Sequence, residues 1–231
     1  MIVASNVSFT YPSGTPALKE VSFRLEDGKK YALVGANGAG KSTLLSLLCA
    51  LELPHGGMLT IDGITLCKTT VQEVRNRVGM VFQNPDDQLF MPTVFDDIAF
   101  GLRNRGIAEN MAGEQVNALL DRMGLAHLKD RPPYRLSGGE KRSVAIATAM
   151  ILEPQTLLMD EPTAFLDPRA RRGFLDMMHS LQTGMLIATH DLNLAMEHTD
   201  GVLVLKDGSI FAQGGTELLR DAQLMEDALL V

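Results

Sequence analysis

The run Gly35-Ala-Asn-Gly-Ala-Gly-Lys41-Ser42-Thr43 constrains this chain more than any other feature. It fits the pattern G-x-x-x-x-G-K-[ST], in which a glycine-rich loop turns successive backbone N–H groups toward anionic oxygens. A short apolar strand, Tyr31–Val34, precedes it, and a leucine-rich helix from about Lys41 to Leu51 follows. An ordinary glycine turn before a helix lacks that context. Strand, loop and helix in this order predict a parallel sheet that receives phosphate beyond its strand ends. The helix N-terminus adds roughly half a positive charge there. Asn37, Gly38, Ala39 and Gly40 form the expected cradle. Lys41 is placed to reach β- and γ-phosphates, Ser42 to ligate Mg²⁺, and Thr43 to donate to the α-phosphate.

Around this unit the pattern alternates between strand and helix. Ile2, Phe9, Leu18, Val21, Phe23 and Leu25, broken at Pro12-Ser13-Gly14, predict two antiparallel strands. Further strands are expected at Met58–Ile61, Val78–Phe82, Thr156–Met159 and Met185–Ala188, and a closing hairpin at Val202–Leu205 and Ser209–Ala212. From Val94 to about Leu152 the period is helical, with another helix from about Pro168 to Leu181. The expected class is α/β: a parallel-sheet core over residues 1–90 and 153–231 with an antiparallel β layer, and an inserted α-helical sub-domain over about 91–152.

A net charge of −7 argues against an electrostatic nucleic-acid binder. Cys49 and Cys67 have no metal-ligand or disulfide-framework spacing, so both are expected as reduced thiols. His55, His127, His179 and His198 likewise show no metal spacing, and the methionines fit helix packing. No apolar run approaches the ~18–20 residues that span a bilayer. A cytosolic protein that reaches a membrane only through partners is therefore expected.

Two further constellations carry chemistry. Asp160-Glu161 ends the apolar strand Thr156–Met159, where the sheet should bring it beside the phosphate loop. Asp160 is expected to hold Mg²⁺ through its water shell, and Glu161 to polarise an attacking water. Leu136-Ser137-Gly138-Gly139-Glu140 opens a helix with glycines and a hydroxyl, again a donor-rich arrangement suited to an anion.

In order and spacing, the phosphate loop, Gln83, Leu136–Glu140, Asp160-Glu161, Leu166-Asp167 and His190 resemble the ATP-binding cassette (ABC) ATPases over nearly the whole chain. That resemblance implies head-to-tail pairing with a second ATPase subunit, a copy or a paralogue. Ser137, Gly138 and Gly139 would then meet ATP held by the other subunit. It also implies that Gln83 senses Mg²⁺ and the attacking water, that His190 contacts the γ-phosphate and that Asp167 bridges the subunits. Tyr11, before the turn at Pro12, would stack on adenine. Glu140 stands where glutamine is commoner, with the neighbouring donors expected to stay available. Phe165 stands where the family usually has a small residue.

The stretch Val81-Phe-Gln83-Asn-Pro-Asp86-Asp87-Gln-Leu-Phe90, with Thr93–Gly101 after it, resembles the ATPases of energy-coupling factor (ECF) importers, including cobalt and nickel systems. This implies a transmembrane scaffold docking near Gln83–Phe90, where Asp86 and Asp87 would meet its basic residues, and a separate membrane subunit that binds the cargo. The protein would lie on the cytoplasmic face of the cell membrane, powering uptake of cobalt, nickel or a vitamin. Another ABC importer, or a soluble ABC ATPase, is the alternative. A soluble one would be expected to carry a coiled-coil insertion, fused cassettes or basic arms, and none is seen in the sequence.

Overall fold

The computed structural model describes residues 1–230. In chain order the elements are β1 (Ile2–Thr10), β2 (Pro16–Leu25), β3 (Lys30–Val34), α1 (Lys41–Leu48), β4 (Gly56–Ile61), β5 (Ile64–Thr65), α2 (Val71–Arg75) and β6 (Val78–Val81). Then come α3 (Val94–Asn104), α4 (Glu109–Arg122), α5 (Gly138–Met150), β7 (Thr156–Asp160), α6 (Pro168–Ser180) and β8 (Gly184–Ala188). The chain closes with α7 (Leu192–His198), β9 (Gly201–Lys206), β10 (Ser209–Gly214) and α8 (Ala222–Asp227). These elements form two compact units.

The first unit comprises residues 1–78, 155–161 and 183–231. Its antiparallel sheet runs β2-β1-β4-β5. In β1 the alternation buries Ile2, Ala4, Val7 and Phe9, as a sheet with one covered face requires. The register slips between Ala4 and Val7, where Asn6 takes φ 51°. Sequence reasoning missed β5 and α2. Asp62 and Gly63, at φ 50° and 79°, form the tight turn between β4 and β5, the two-residue hairpin geometry that favours Asp-Gly.

The second sheet places β10, β9, β3, β8 and β7 side by side. β3 is parallel to both β8 and β9, and β7 to β8, while β10 returns antiparallel to β9. Ala32, Leu33, Val34, Leu157, Leu158, Leu186, Ile187 and Val202–Leu205 are fully buried, the near-continuous apolar reading of strands covered on both faces. Ala32, Val34, Val202 and Val204 pack with Ala195 of α7 and with Leu219, Met225 and Ala228 of the C-terminal segment. α1 packs against β7 and β8. It ends at Leu48, short of the expected Leu51, because Ala50 turns left-handed at φ 55°. Leu51 N–H then closes onto Ser46 O at 2.9 Å and Ala50 N–H onto Leu47 O at 3.0 Å, a Schellman stop built on alanine.

The second unit comprises residues 79–154 and 162–182. α3 packs on α4 and α5, and α5 on α6. Val94, Ile98, Val116, Leu120, Val144 and Ile146 form its buried apolar faces, each side chain removed from water contributing about 1.5–3 kcal/mol. Thr93 caps α3 by accepting from Asp96 N–H at 3.1 Å.

Candidate nucleotide site

Register assembles the site in the first unit. In the parallel sheet Leu33 pairs with Ala188, and Ala188 with Asp160, so three strand ends lie level. The ladder continues one step beyond them: Glu161 N–H donates to Ala188 O at 2.8 Å, and Thr189 N–H to Leu33 O at 3.1 Å. The phosphate loop, the acidic dyad and His190 therefore emerge at one edge, where ligands of open parallel sheets sit.

The loop's glycines have distinct physical causes. Gly40 sits at φ 108°, and a Cβ there would lie 2.9 Å from Ala17 O. At Gly35 a Cβ would lie 2.4 Å from Leu205 O. Gly38 takes φ 80°, a left-handed conformation that glycine adopts without penalty. Asn37 and Gly38 are exposed, Ala39 is buried, and Ser42 is open to solvent at the start of α1. Lys41 is only 8% exposed, and its Nζ folds back onto Gly35 O at 2.6 Å and Ala36 O at 3.2 Å. Burial pushes the Lys41 ammonium below its ordinary pKa, against the opposing pull of Glu161 and Asp160. A desolvated cation whose two hydrogen bonds go to neutral carbonyls is poised to accept an anion.

Burial raises the Asp160 carboxyl above its ordinary range; a hydrogen bond with Ser42 opposes this, and the charge of Glu161 adds to it. Glu161 is 9% exposed and adopts φ 43°, a left-handed conformation costing an ordinary residue about 1–2 kcal/mol. His190 Nδ1 lies 2.9 Å from Glu161 Oε2. Tyr11, 39% exposed, shares a 2.8 Å hydrogen bond with Thr43 Oγ1. Its ring meets Phe9 edge-on at 5.1 Å, and Phe9 in turn stacks on His55 at 5.0 Å. The sequence-predicted residues of this unit, Tyr11, Asn37–Thr43, Asp160, Glu161 and His190, thus gather around one sheet edge.

The second unit carries Gln83, Ser137–Gly139 and Asp167. Gln83 is exposed at the end of β6. Ser137 caps α5 in a reciprocal box: its Oγ accepts from Glu140 N–H at 3.4 Å, and its own N–H donates to Glu140 Oε2 at 2.7 Å. The Ser137 hydroxyl also donates to Glu140 Oε2 at 2.8 Å. This corrects the expectation that Glu140 leaves the neighbouring donors untouched, because a carboxylate accepts what is offered. At Gly139 a Cβ would lie 2.8 Å from Ala170 Cβ, so this glycine also serves the close approach of α5 and α6. Asp167 Oδ1 caps α6 through Arg169 and Ala170 N–H at 2.8 and 2.9 Å. Phe165 is 95% exposed at φ 63°. Asp86, expected to await a partner's cation, is already paired with Lys141 at 2.6 Å. Sequence reasoning missed Arg142, a cation 2% exposed on α5; its one signal is a charge among Val144, Ala145 and Ile146 on a buried face.

Comparison with known proteins agrees with this geometry. The ABC transporter family pattern matches residues 18–164. A Geobacter sulfurreducens protein, provisionally named an ABC transporter ATP-binding protein, is 49% identical over 89% of this chain and 83% of its own. The energy-coupling factor transporter ATP-binding protein EcfA of Methanothermobacter thermautotrophicus is 40% identical over 100% of this chain and 76% of its own. Among solved structures, cbiO1 of Clostridium perfringens, described as part of the ABC transporter complex cbiONQ, superposes with TM-score 0.85 at 33% identity. That match covers 97% of this chain and 92% of cbiO1. The ATP-binding cassette MJ0796, solved as a dimer in a post-hydrolysis state with ADP and Pi, gives TM-score 0.82 at 27% identity, covering 94% and 99%. A phosphate loop levelled with a carboxylate and a histidine on one sheet edge, in a chain matched this fully, leaves one assignment: it belongs to the ABC transporter ATP-binding family and is an ATP hydrolase.

Proposed function

We propose that this chain is the ATPase of an ECF-type importer, driving uptake of a cobalt or nickel ion or a vitamin through membrane partners. The observation that carries the proposal is the stretch Gln83–Phe90 with Thr93–Gly101, and the relative named EcfA and the cbiO1 neighbour support it. Phe90 and Phe100 stand exposed beside each other, edge-on at 5.1 Å, which suits a protein partner at this surface. No helix among the described residues is long and apolar enough to cross a membrane, so transport would be the work of a scaffold subunit and a cargo-binding subunit. The ATPase would sit on the cytoplasmic membrane face through them.

In this reading Tyr11 stacks on adenine, and Asn37–Thr43 wrap the phosphates with Lys41 on the β/γ end. Mg²⁺ fits the donors present, since Ser42 at the start of α1 and Asp160 at the levelled end of β7 both offer hard oxygen ligands. A magnesium site needs only one or two carboxylates beside the substrate's phosphates. The ion would neutralise charge on the β- and γ-phosphates. Glu161 orients the attacking water and accepts its proton, His190 contacts the γ-phosphate, and Gln83 senses Mg²⁺ and the attacking water. Ser137, Gly138 and Gly139 complete the site of a second subunit, and Asp167 lies at that junction. The dimeric state of MJ0796 supports such pairing.

Affinity purification of the tagged chain from gently solubilised membranes tests the assignment. Small integral-membrane subunits are expected to copurify, and the cargo-binding one identifies the substrate. Recovery from the soluble fraction alone, without membrane subunits, would favour a soluble ABC ATPase. Copurification with a different class of permease would favour another ABC importer.

A further inference from the structure

Within the second unit, the loop carrying Gln83 is fastened to α5 by side chains that no catalytic role uses. Arg142 donates from Nη1 to the Phe82 carbonyl at 2.7 Å and from Nη2 to the Gln83 carbonyl at 2.6 Å. Gln88 donates to Ala145 O and Thr148 Oγ1, both at 2.8 Å, while its Oε1 accepts the Phe82 N–H at 3.1 Å. Phe82 is thus held at both its amide and its carbonyl. Outside, Lys141 pairs with Asp86.

Magnitudes separate these contacts. The Lys141–Asp86 pair involves a carboxylate 58% exposed, and exposed pairs contribute little to stability. Hydrogen bonds from a charged donor are stronger than those between neutral groups. Arg142 carries two of them inside the fold, while its buried Nε has no hydrogen-bond partner. If packing were its purpose, methionine of similar length would fill the space without burying a charge. What methionine cannot do is grip two successive carbonyls of a loop.

We propose that Arg142 and Gln88 are positioning residues that make the 82–88 loop and α5 one lever, so that displacement of the Gln83–Phe90 surface is delivered to Ser137–Gly139 at the other end of the same clamp. The functional use of that lever rests on the reading above, in which Gln83–Phe90 meets the membrane partner and Ser137–Gly139 serve a second subunit's ATP. The mechanical link does not rest on it.

The test compares Arg142→Met, Arg142→Lys and Gln88→Met in the full chain. Hydrogen exchange is followed by mass spectrometry without nucleotide in segments 82–90, 136–141 and 35–43. Arg142→Met and Gln88→Met should speed exchange about fivefold or more in both of the first two segments, the effect of losing roughly one hydrogen bond's net stabilisation. Segment 35–43 should be unchanged. Arg142→Lys, which keeps one charged donor, should fall between wild type and Arg142→Met. In hydrolysis, Arg142→Met should lower kcat about 10- to 100-fold through misplaced groups, with half-saturation by ATP within about 2-fold. Faster exchange in 82–90 with 136–141 still protected would overturn the lever. Faster exchange in both segments with unchanged kcat would uphold the lever and refute the role of Ser137–Gly139 in hydrolysis. Should Arg142→Met not fold, Gln88→Met carries the same comparison.

Discussion

His190 presents its Nδ1 to Glu161 Oε2 at 2.9 Å, and its backbone N–H points at the same oxygen at 3.4 Å. The histidine side chain is 72% exposed and the glutamate side chain 11%, so a buried carboxylate is gripped by a residue open to solvent. Glu161→Gln removes the proton acceptor and keeps the shape. Hydrolysis should fall by about 10²–10⁴-fold, the usual contribution of a positioned general base, while ATP affinity stays within a few-fold. His190→Ala should also slow turnover while sparing binding. Single-turnover kinetics with separately measured ATP binding distinguishes the two effects, and undiminished turnover in Glu161→Gln would remove the assigned base.

Asp160 sets a pH dependence whose sign follows from its surroundings. Its carboxyl is raised in the folded chain, chiefly by burial. The stability it contributes is therefore full below the unfolded value of about 3.9 and is lost as pH rises through the raised folded value. Asp160→Asn should melt higher than wild type at pH 7, by up to about 4 °C, the shift that 1 kcal/mol makes in a chain of this size. The gain should vanish below about pH 4. The same variant should lose Mg²⁺-dependent hydrolysis. Thermal melts from pH 4 to 8 check the trend, and a lower melting temperature at pH 7 would contradict it.

Tyr11 has two separable contributions, an exposed ring and a hydroxyl bonded to Thr43. Stacking on a base contributes about 1–3 kcal/mol, so Tyr11→Ala should weaken ATP binding about 5- to 100-fold. Tyr11→Phe keeps the ring, loses one hydrogen bond of about 0.5–1.5 kcal/mol and should weaken it by less than Tyr11→Ala. Titration with ATP and with inorganic triphosphate separates the effects, because triphosphate offers no base to stack and should be indifferent to Tyr11→Ala.

Glu140 holds both the hydroxyl and the N–H of Ser137, and the Ser137 N–H keeps its carboxyl below the usual range, so the charge persists at neutral pH. If the Ser137 hydroxyl meets a phosphate as proposed, a carboxylate beside it opposes binding by on the order of 1 kcal/mol. Glu140→Gln keeps an acceptor for the cap and removes the charge. The ATP concentration giving half-maximal subunit pairing should fall about 3- to 10-fold, with the melting temperature nearly unchanged. A rise in that concentration would show that the carboxylate aids the site.

The core was legible because its signals are local. Tyr31–Val34, Thr156–Met159 and Met185–Ala188 are short apolar runs bounded by turn residues, and each is a buried strand in the fold. The motif residues of the first unit followed from the same pattern, since parallel register levels whatever comes after each strand. What the sequence hid is tertiary. The stop of α1 depends on Ala50 accepting a left-handed turn that glycine usually takes. The pairing of Asp86 with Lys141 and the grip of Arg142 on Phe82 and Gln83 join residues more than fifty positions apart. Phe165 departs from the small residue common at its place, and nothing in the free subunit explains an aromatic 95% exposed at φ 63°.

In the proposed reading the phosphate loop and Ser137–Gly139 are halves of one site completed by a second subunit. Sedimentation of Glu161→Gln with ATP and Mg²⁺, compared with the Glu161→Gln, Ser137→Arg double variant, tests this. The single variant should double its mass on adding ATP. The double variant should bind ATP with similar affinity yet remain a monomer, because an arginine at Ser137 obstructs only the partner's half. A double variant that pairs as readily as the single one would contradict the shared site.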